Sequence, residues 1–410
     1  MSFLTRTLLS IALAAAAMPA ARAIEVHGLV DLRAVAVDAS PSWLHEGLGK
    51  LRYDQSGLRL GQATVSAAAD LSDTVSATVV ANASDDRRGL LGVNEAWLGW
   101  NPIPGGAWKT RVKAGAFFPA SSLELDYDSV GWTPSRTVSS SAINSWIGEE
   151  LRTKGLEWTV QRNGRLAGSP HDVGLSAAVF GWNDETGTLL AWRGWTLSER
   201  ITSLTEPLRL SGLPVYASGG PLARQSQTIH PFREIDDRLG YYVGASYGYQ
   251  GWITLTAMQY DNRANPLIVE DRQYSWRTRF QHLGVRLLPG AGWELLAQAM
   301  RGSTLMGRDA VYVNFDSWFL LASHRLGPGL ATVRYDHFAV KEDEDDRIAR
   351  DPNMEHGRAL ALAYALELTD SLNLVCELLQ VKSERPARAL IGVAPQQDER
   401  SLTASLRWHF

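Results

Sequence analysis

The stretch Arg400-Ser-Leu-Thr-Ala-Ser-Leu-Arg-Trp-His-Phe410 decides how the rest of the chain is read. Leu402, Ala404, Leu406, Trp408 and Phe410 share one face of an extended strand, and Ser401, Thr403, Ser405, Arg407 and His409 share the other. Side chains of a strand alternate between faces, so one side is apolar and the other wet. A soluble sandwich also uses such strands. A strand that is apolar outside, charged inside and ends on an aromatic carboxylate suits a closed barrel in lipid.

The opposite end narrows the class. Arg6 supplies a positive region, Leu8 to Met18 an apolar run, and Ala21-Arg22-Ala23 a small-x-small cleavage site. Residues 1–23 therefore read as a secretory signal peptide, too short to span a membrane. A strand is expected directly afterwards, with Ile24, Val26, Val30 and Leu32 alternating with Glu25, His27, Asp31 and Arg33. That leaves no room for an N-terminal plug domain. The formal charge of −4 gives no basic footprint for nucleic acid. The single cysteine, Cys376, excludes an internal disulfide. Mean hydropathy is −0.15, and no later stretch reaches the ~18 apolar residues of a spanning helix. A barrel escapes that requirement because only alternate residues meet lipid.

Strand-like stretches bounded by Gly, Pro, Asn and Asp recur from 24–38 to 400–410. Short connections such as Asp70–Asp73, Gln250–Gly251 and Thr369–Ser371 alternate with long ones at 39–55, 119–150, 184–237 and 342–355. The expected fold is all-β, a transmembrane antiparallel up-and-down barrel of about 16 strands over 24–410, with short periplasmic turns and long extracellular loops. The parity holds if Leu189–Trp195 belongs to a loop, and about eighteen strands is the fallback. Fifteen tryptophans, several flanking predicted turns (Trp100, Trp108, Trp252, Trp293, Trp408), fit aromatic girdles at a bilayer interface.

Within this frame one stretch is more particular. Asn94-Glu-Ala-Trp-Leu-Gly-Trp100, a turn, and then Val112-Lys-Ala-Gly-Ala-Phe-Phe-Pro-Ala-Ser-Ser-Leu-Glu124 resembles the phosphate-selective porin O/P family. There an E-A-Y/W strand precedes a G-x-F-x-P-x-S-x-E strand end. The resemblance implies an outer-membrane porin that passes ions and small hydrophilic solutes. It also implies an inward-folded constriction loop, here Pro119 to Glu150, and trimeric association. Lysines are few in this chain and arginine replaces them, so small anions or polar solutes in general are the expected cargo rather than phosphate.

Alternation assigns candidate pore-lining basic residues. Arg33, Arg59, Arg111, Lys113, Arg334 and Arg407 are expected inside. So are Arg277 and Arg279, if Tyr274, Trp276, Thr278 and Phe280 face lipid. Charge on the lipid face at the midplane costs ~2–4 kcal/mol, which forces these groups inward. They read equally as wall residues paired with inward acids such as Glu157, Glu294, Asp336, Glu367 and Glu377. Glu124, Asp126, Asp128, Glu149 and Glu150 of the loop are expected to oppose Arg111, Lys113, Arg277 and Arg279, setting up a transverse field across a narrow passage. The alternative is an external loop whose acids bind cations between lipopolysaccharides. The 184–237 segment reads as a long extracellular loop that covers the mouth or meets a neighbouring subunit.

Two other classes compete with a channel. A barrel hydrolase of phospholipase or protease type needs converging Ser/His/Asp groups. The nine histidines are scattered, without metal-like spacing or a G-x-S-x-G elbow. A loop-mediated adhesin or receptor is the other alternative. The Glu342–Asp346 run lacks calcium-loop spacing. No catalytic residue, metal or cofactor is assigned. Expected partners are outer-membrane lipid and lipopolysaccharide.

Overall fold

The computed structural model describes residues 24–86, 91–126, 130–348 and 351–410. The expected signal peptide lies outside them. Sixteen antiparallel strands, each paired with its neighbours in sequence, close into one barrel. In chain order they are β1 (Ile24–Asp38), β2 (Gly57–Asp70), β3 (Val75–Ala83), β4 (Leu91–Trp100), β5 (Trp108–Phe117) and β6 (Thr153–Arg162). Next come β7 (His171–Gly181), β8 (Gly240–Tyr249), β9 (Ile253–Asp261), β10 (Trp276–Gly290) and β11 (Trp293–Met306). The last five are β12 (Val311–Leu326), β13 (Gly329–Glu342), β14 (Glu355–Thr369), β15 (Leu372–Glu384) and β16 (Gln396–His409). Leu189–Trp195 contains no barrel strand, so the count is sixteen and not eighteen.

Closure pairs β1 with β16, from Leu29 opposite His409 to Asp38 opposite Arg400. The terminal residue adds two backbone hydrogen bonds with Gly28, at 2.8 and 3.1 Å. A Cβ at Gly28 would lie inside the Phe410 ring, so the glycine is what lets that ring cover the seam. At the opposite rim from the long loops, turns are tight. Gln250 and Gly251 take φ of 49° and 76°, the left-handed pair of a type I′ hairpin.

The faces follow the alternation. Along β16, Leu402, Leu406 and Trp408 are exposed, while Thr403, Ser405 and Arg407 are buried. Leucines such as Leu98, Leu175, Leu283 and Leu320 point outward in a band on the rest of the surface, far more apolar area than a soluble protein leaves open. Of the tryptophans, Trp100, Trp108, Trp252, Trp293 and Trp408 stand exposed at the turn end, as a girdle requires.

Six others are buried inside. Helix α1 (Ala142–Glu150), capped by Ser141, and the short α2 (Thr188–Trp192) lie within the barrel, every residue buried. Trp146 on α1 meets Trp195, Phe280 and Phe315 edge-on, at 5.9, 5.6 and 5.3 Å between centroids. Trp192 meets Trp276 at 5.0 Å. The loop end of the barrel is thus filled by its own loops, with an aromatic core where a solvent space was expected.

Candidate functional site

The inner wall has two chemistries. From β10 to β15 the large apolar residues Trp276, Phe280, Met300, Phe315, Phe338 and Val381 are turned in and buried, interspersed with inward polar groups such as Glu294, Gln298, Arg334, Asp336 and Glu377. Segment 119–150 packs on this half, and 184–203 closes over it. From β2 to β9 many inward positions are polar, namely Gln62 and Thr64, Asn82, Glu95, then Lys109, Arg111 and Lys113, Glu157 and Gln161, Ser176, Ser246 and Thr256, while Phe180, Met258 and Tyr260 join the buried core. Space remains on that side. A cavity of about 250 Å³ lies between Ser121–Ser122 of the inward segment and Thr159, Ser176, Ser246, Thr256 and His282 of the wall.

Three cations alternate along β5 because its sequence reads Trp108-Lys-Thr-Arg-Val-Lys. Two of them rest on Trp97 of β4, the Arg111 guanidinium 5.3 Å and the Lys113 ammonium 5.0 Å from its ring. A cation over an aromatic face stays charged without a carboxylate beside it. Lys113 reaches Glu157 only at 4.0 Å, and Glu157 is already engaged by the Tyr242 hydroxyl at 2.5 Å. Towards the turn end a second cavity, about 450 Å³, gathers Arg136, Arg286, Arg325 and Glu367. There Glu294 is clamped from both sides, 2.6 Å from Arg136 and 2.7 Å from Arg286.

Of the eight basic positions expected in the pore, Arg59, Arg111 and Lys113 face inward and remain part-exposed. Arg33, Arg334 and Arg407 also face inward, yet they are buried beneath the loops rather than lining water. Arg33 binds Asp31 at 2.6 Å and also Glu199; Arg407 donates to the carbonyls of Pro134 and Thr137. Arg334 donates to Glu124 at 2.7 Å, to Asp336 at 2.8 Å, and to Ser139 and Ser140.

Arg277 and Arg279 correct the expectation outright. Both point outward, and it is Trp276, Thr278 and Phe280 that point in. The reason is physical. The interior here is filled with protein, so large apolar residues gain by facing it. The arginines lie at the loop end of β10, where charge on the outer face costs only ~0–1 kcal/mol.

The loop acids are also misplaced by the expectation. Glu124 is fully buried, accepting from Ser141, Asn144 and Arg334. Glu149 binds Arg193 at 2.7 Å and the Trp43 indole at 3.0 Å. Glu150 accepts from Leu189 N and the Trp146 indole, and burial pushes its carboxyl up to about 7. None of these three opposes Arg111 or Lys113, because a carboxylate inside a dry core must find its donor there. Asp126 pairs through its backbone with Thr133, and Asp128 lies outside the described residues.

Sequence reading missed Lys109, Trp97, Arg136 and Arg286. It also missed the depth of 184–237, whose signal was the apolar run from Leu189 to Leu197. Among the described residues one set of carboxylates, Asp184, Glu234 and Asp236 at the loop end, brings oxygens within 4.8 Å of one another, close enough to share a cation.

No protein-family model and no curated protein matches the chain in sequence. Solved structures do match its fold. An in-vitro folded OmpT, an outer membrane protein of Vibrio cholerae in trimer form, superposes with a TM-score of 0.53 at 7% identity, over 95% of this chain and 99% of that one. The anion-selective porin from Comamonas acidovorans gives 0.51 at 14% identity, over 95% and 99%. The outer membrane channel DcaP of Acinetobacter baumannii gives 0.54 at 11%, over 94% and 97%. The likeness is one of fold, a closed β-barrel.

Proposed function

We propose that this chain is an outer-membrane porin, its long loops extracellular, passing small hydrophilic solutes along the polar wall with a bias towards anions. The observation that carries the reading is the row of inward cations on β5, where Lys109 and Arg111 stand opposite Gln161 and Thr159, two residues that line the space the inward segment leaves free. The outward leucines and the tryptophan girdle support a lipid setting. An anion entering that space meets three aligned cations, two of them held on Trp97, with Glu157 4.0 Å from Lys113. Low-dielectric walls concentrate their field.

The test is planar-bilayer recording. Replacing Lys109, Arg111 and Lys113 together by Glu should move the reversal potential towards cation preference. The shift should shrink as the Debye length falls from ~10 Å at 0.1 M to ~3 Å at 1 M salt. The outward pair Arg277→Glu plus Arg279→Glu should leave selectivity unchanged. A channel indifferent to the triple change would overturn the anion bias. A correctly folded barrel without conductance would instead favour the adhesin or enzyme reading.

A trimer is part of the proposal. Its support is the trimer form of one fold neighbour and the small outward residues Ala63, Ala67, Ala77 and Ala96 on β2–β4, which allow close approach between copies. The outer wall of β14–β15, with Leu360, Leu362 and Leu378, is the alternative contact. Native mass measurement in mild detergent decides whether copies associate.

A further inference from the structure

Outside the barrel, the surface of β7–β11 changes chemistry between one row and the next. Leu175, Ala245, Ala257, Leu283 and Ala299 are successive register partners in one outward row. Two residues nearer the loop end, the row reads Val243, Gln259, Gln281 and Arg301, with Arg279 above it. The three alanines lack bulk, while Leu175, Val243 and Leu283 stand 66, 49 and 60% exposed around them. The result is an outward groove of about 780 Å³ with an apolar floor, ending at Gln259, Gln281 and Arg301.

The polar end is short of anions. Arg301 donates through Nε and Nη2 to Gln281 Oε1, at 3.2 and 3.1 Å, which orients both groups and leaves the Gln281 amide N–H free. Arg279 donates to the Ser303 hydroxyl at 3.3 Å. The carboxylates opposite them in register are drawn elsewhere. Asp316 lies 3.7 Å from His337 and from Lys341, and Asp261 lies 3.7 Å from Arg277. Two guanidinium groups on adjacent strands thus stand above an apolar trough, and the carboxylates opposite them in register, Asp261 and Asp316, form their ion pairs with Arg277, His337 and Lys341 instead. Guanidinium matches phosphate in shape and charge, and amides match sugar hydroxyls.

We propose that this groove docks one phosphorylated glycolipid of the outer leaflet. An acyl chain lies on Ala245, Ala257 and Ala299, a phosphate sits on Arg279 and Arg301, and the amides of Gln259 and Gln281 meet the sugar. The proposal rests on the outer-membrane reading above, since the loop end must face that leaflet. A phospholipid would use the floor and the arginines but leave the paired amides without sugar partners.

The experiment is native mass spectrometry of the delipidated full chain in detergent, titrated separately with bisphosphorylated lipid A, its dephosphorylated form and phosphatidylglycerol. One bisphosphorylated molecule should be retained, with each of the others about tenfold weaker, a difference of about 1.4 kcal/mol. Arg279→Ala plus Arg301→Ala should weaken it at least about tenfold, as the loss of charge-assisted bonds implies. Ala257→Phe, which fills the trough and leaves every charge in place, should do the same. Arg358→Ala, on β14 outside the groove, should change nothing and also reports on folding. Equal retention of all three lipids, or wild-type binding by the Ala257→Phe variant, would overturn the proposal. Failure of the outer-membrane reading shows separately, as protein that stays soluble without detergent.

Discussion

At the scale of single residues, the inside of this barrel is governed by the cost of leaving a charge alone in a dry place. Arg334 is the extreme case, fully buried with two carboxylates, two serine carbonyls and two hydroxyls around it. Removing one partner of such a set typically costs about 3–5 kcal/mol, much of it from the carboxylates left behind. Arg334→Met should therefore lower the denaturant midpoint sharply, and Arg334→Met with Glu124→Gln and Asp336→Asn should recover part of the loss. Glu150 titrates in the accessible range. Burial raises its carboxyl from 4.5 to about 7, opposed by the Leu189 and Trp146 donors and by nearby Arg193. The folded state then holds a proton that the unfolded state releases. Stability contributed by this site is full below about pH 4.5 and is lost as pH rises through 7. Glu150→Gln should match the wild type at pH 4 and exceed it by at most about 3 kcal/mol above pH 7, measured as unfolding midpoint against pH.

At the scale of elements, the two inward segments hold each other in place through aromatic contacts. Trp195 stacks edge-on against Trp146 and Phe315 and donates its indole N–H to Ala339 O at 2.9 Å. Trp195→Ala should cost about 3–5 kcal/mol, as large-to-small changes in a core do. It should also raise single-channel conductance, because the 184–203 segment loses its anchor over the lumen; unchanged conductance would mean that this segment is no barrier.

Strand positions were legible from alternation and turn residues, to the point that β1 and β12 fall within a residue of the pattern in Ile24–Asp38 and Val311–Leu326. Which face of β10 turns inward was not legible. A period of two defines two faces, and only the content of the barrel says which is inside. Trp276 and Phe280 look lipid-facing as long as the lumen is taken to be water. The destinations of the loop acids were hidden for a different reason: Glu124 finds its arginine 210 positions away.

At the scale of the whole molecule, the barrel should be recovered with outer membranes and migrate on gels as a compact, sheet-rich species until boiled, since unfolding requires all sixteen strands to part. Recovery as a soluble monomer without detergent would count against that. The barrel is also lopsided. Strands β3–β9 run 9–11 residues and the others 13–16. At ~3.3 Å per residue and a tilt near 45°, five residues are worth roughly 10 Å of height. On the taller flank the residues that β10 adds beyond the last pair with β9, Asp261 opposite Arg279, carry the outward Arg277, a charge that stands at the rim like a parapet. With the loop end outward, as the proposed function has it, a molecule approaching the mouth would meet a tall, charged wall from one compass direction and a low sill from the other.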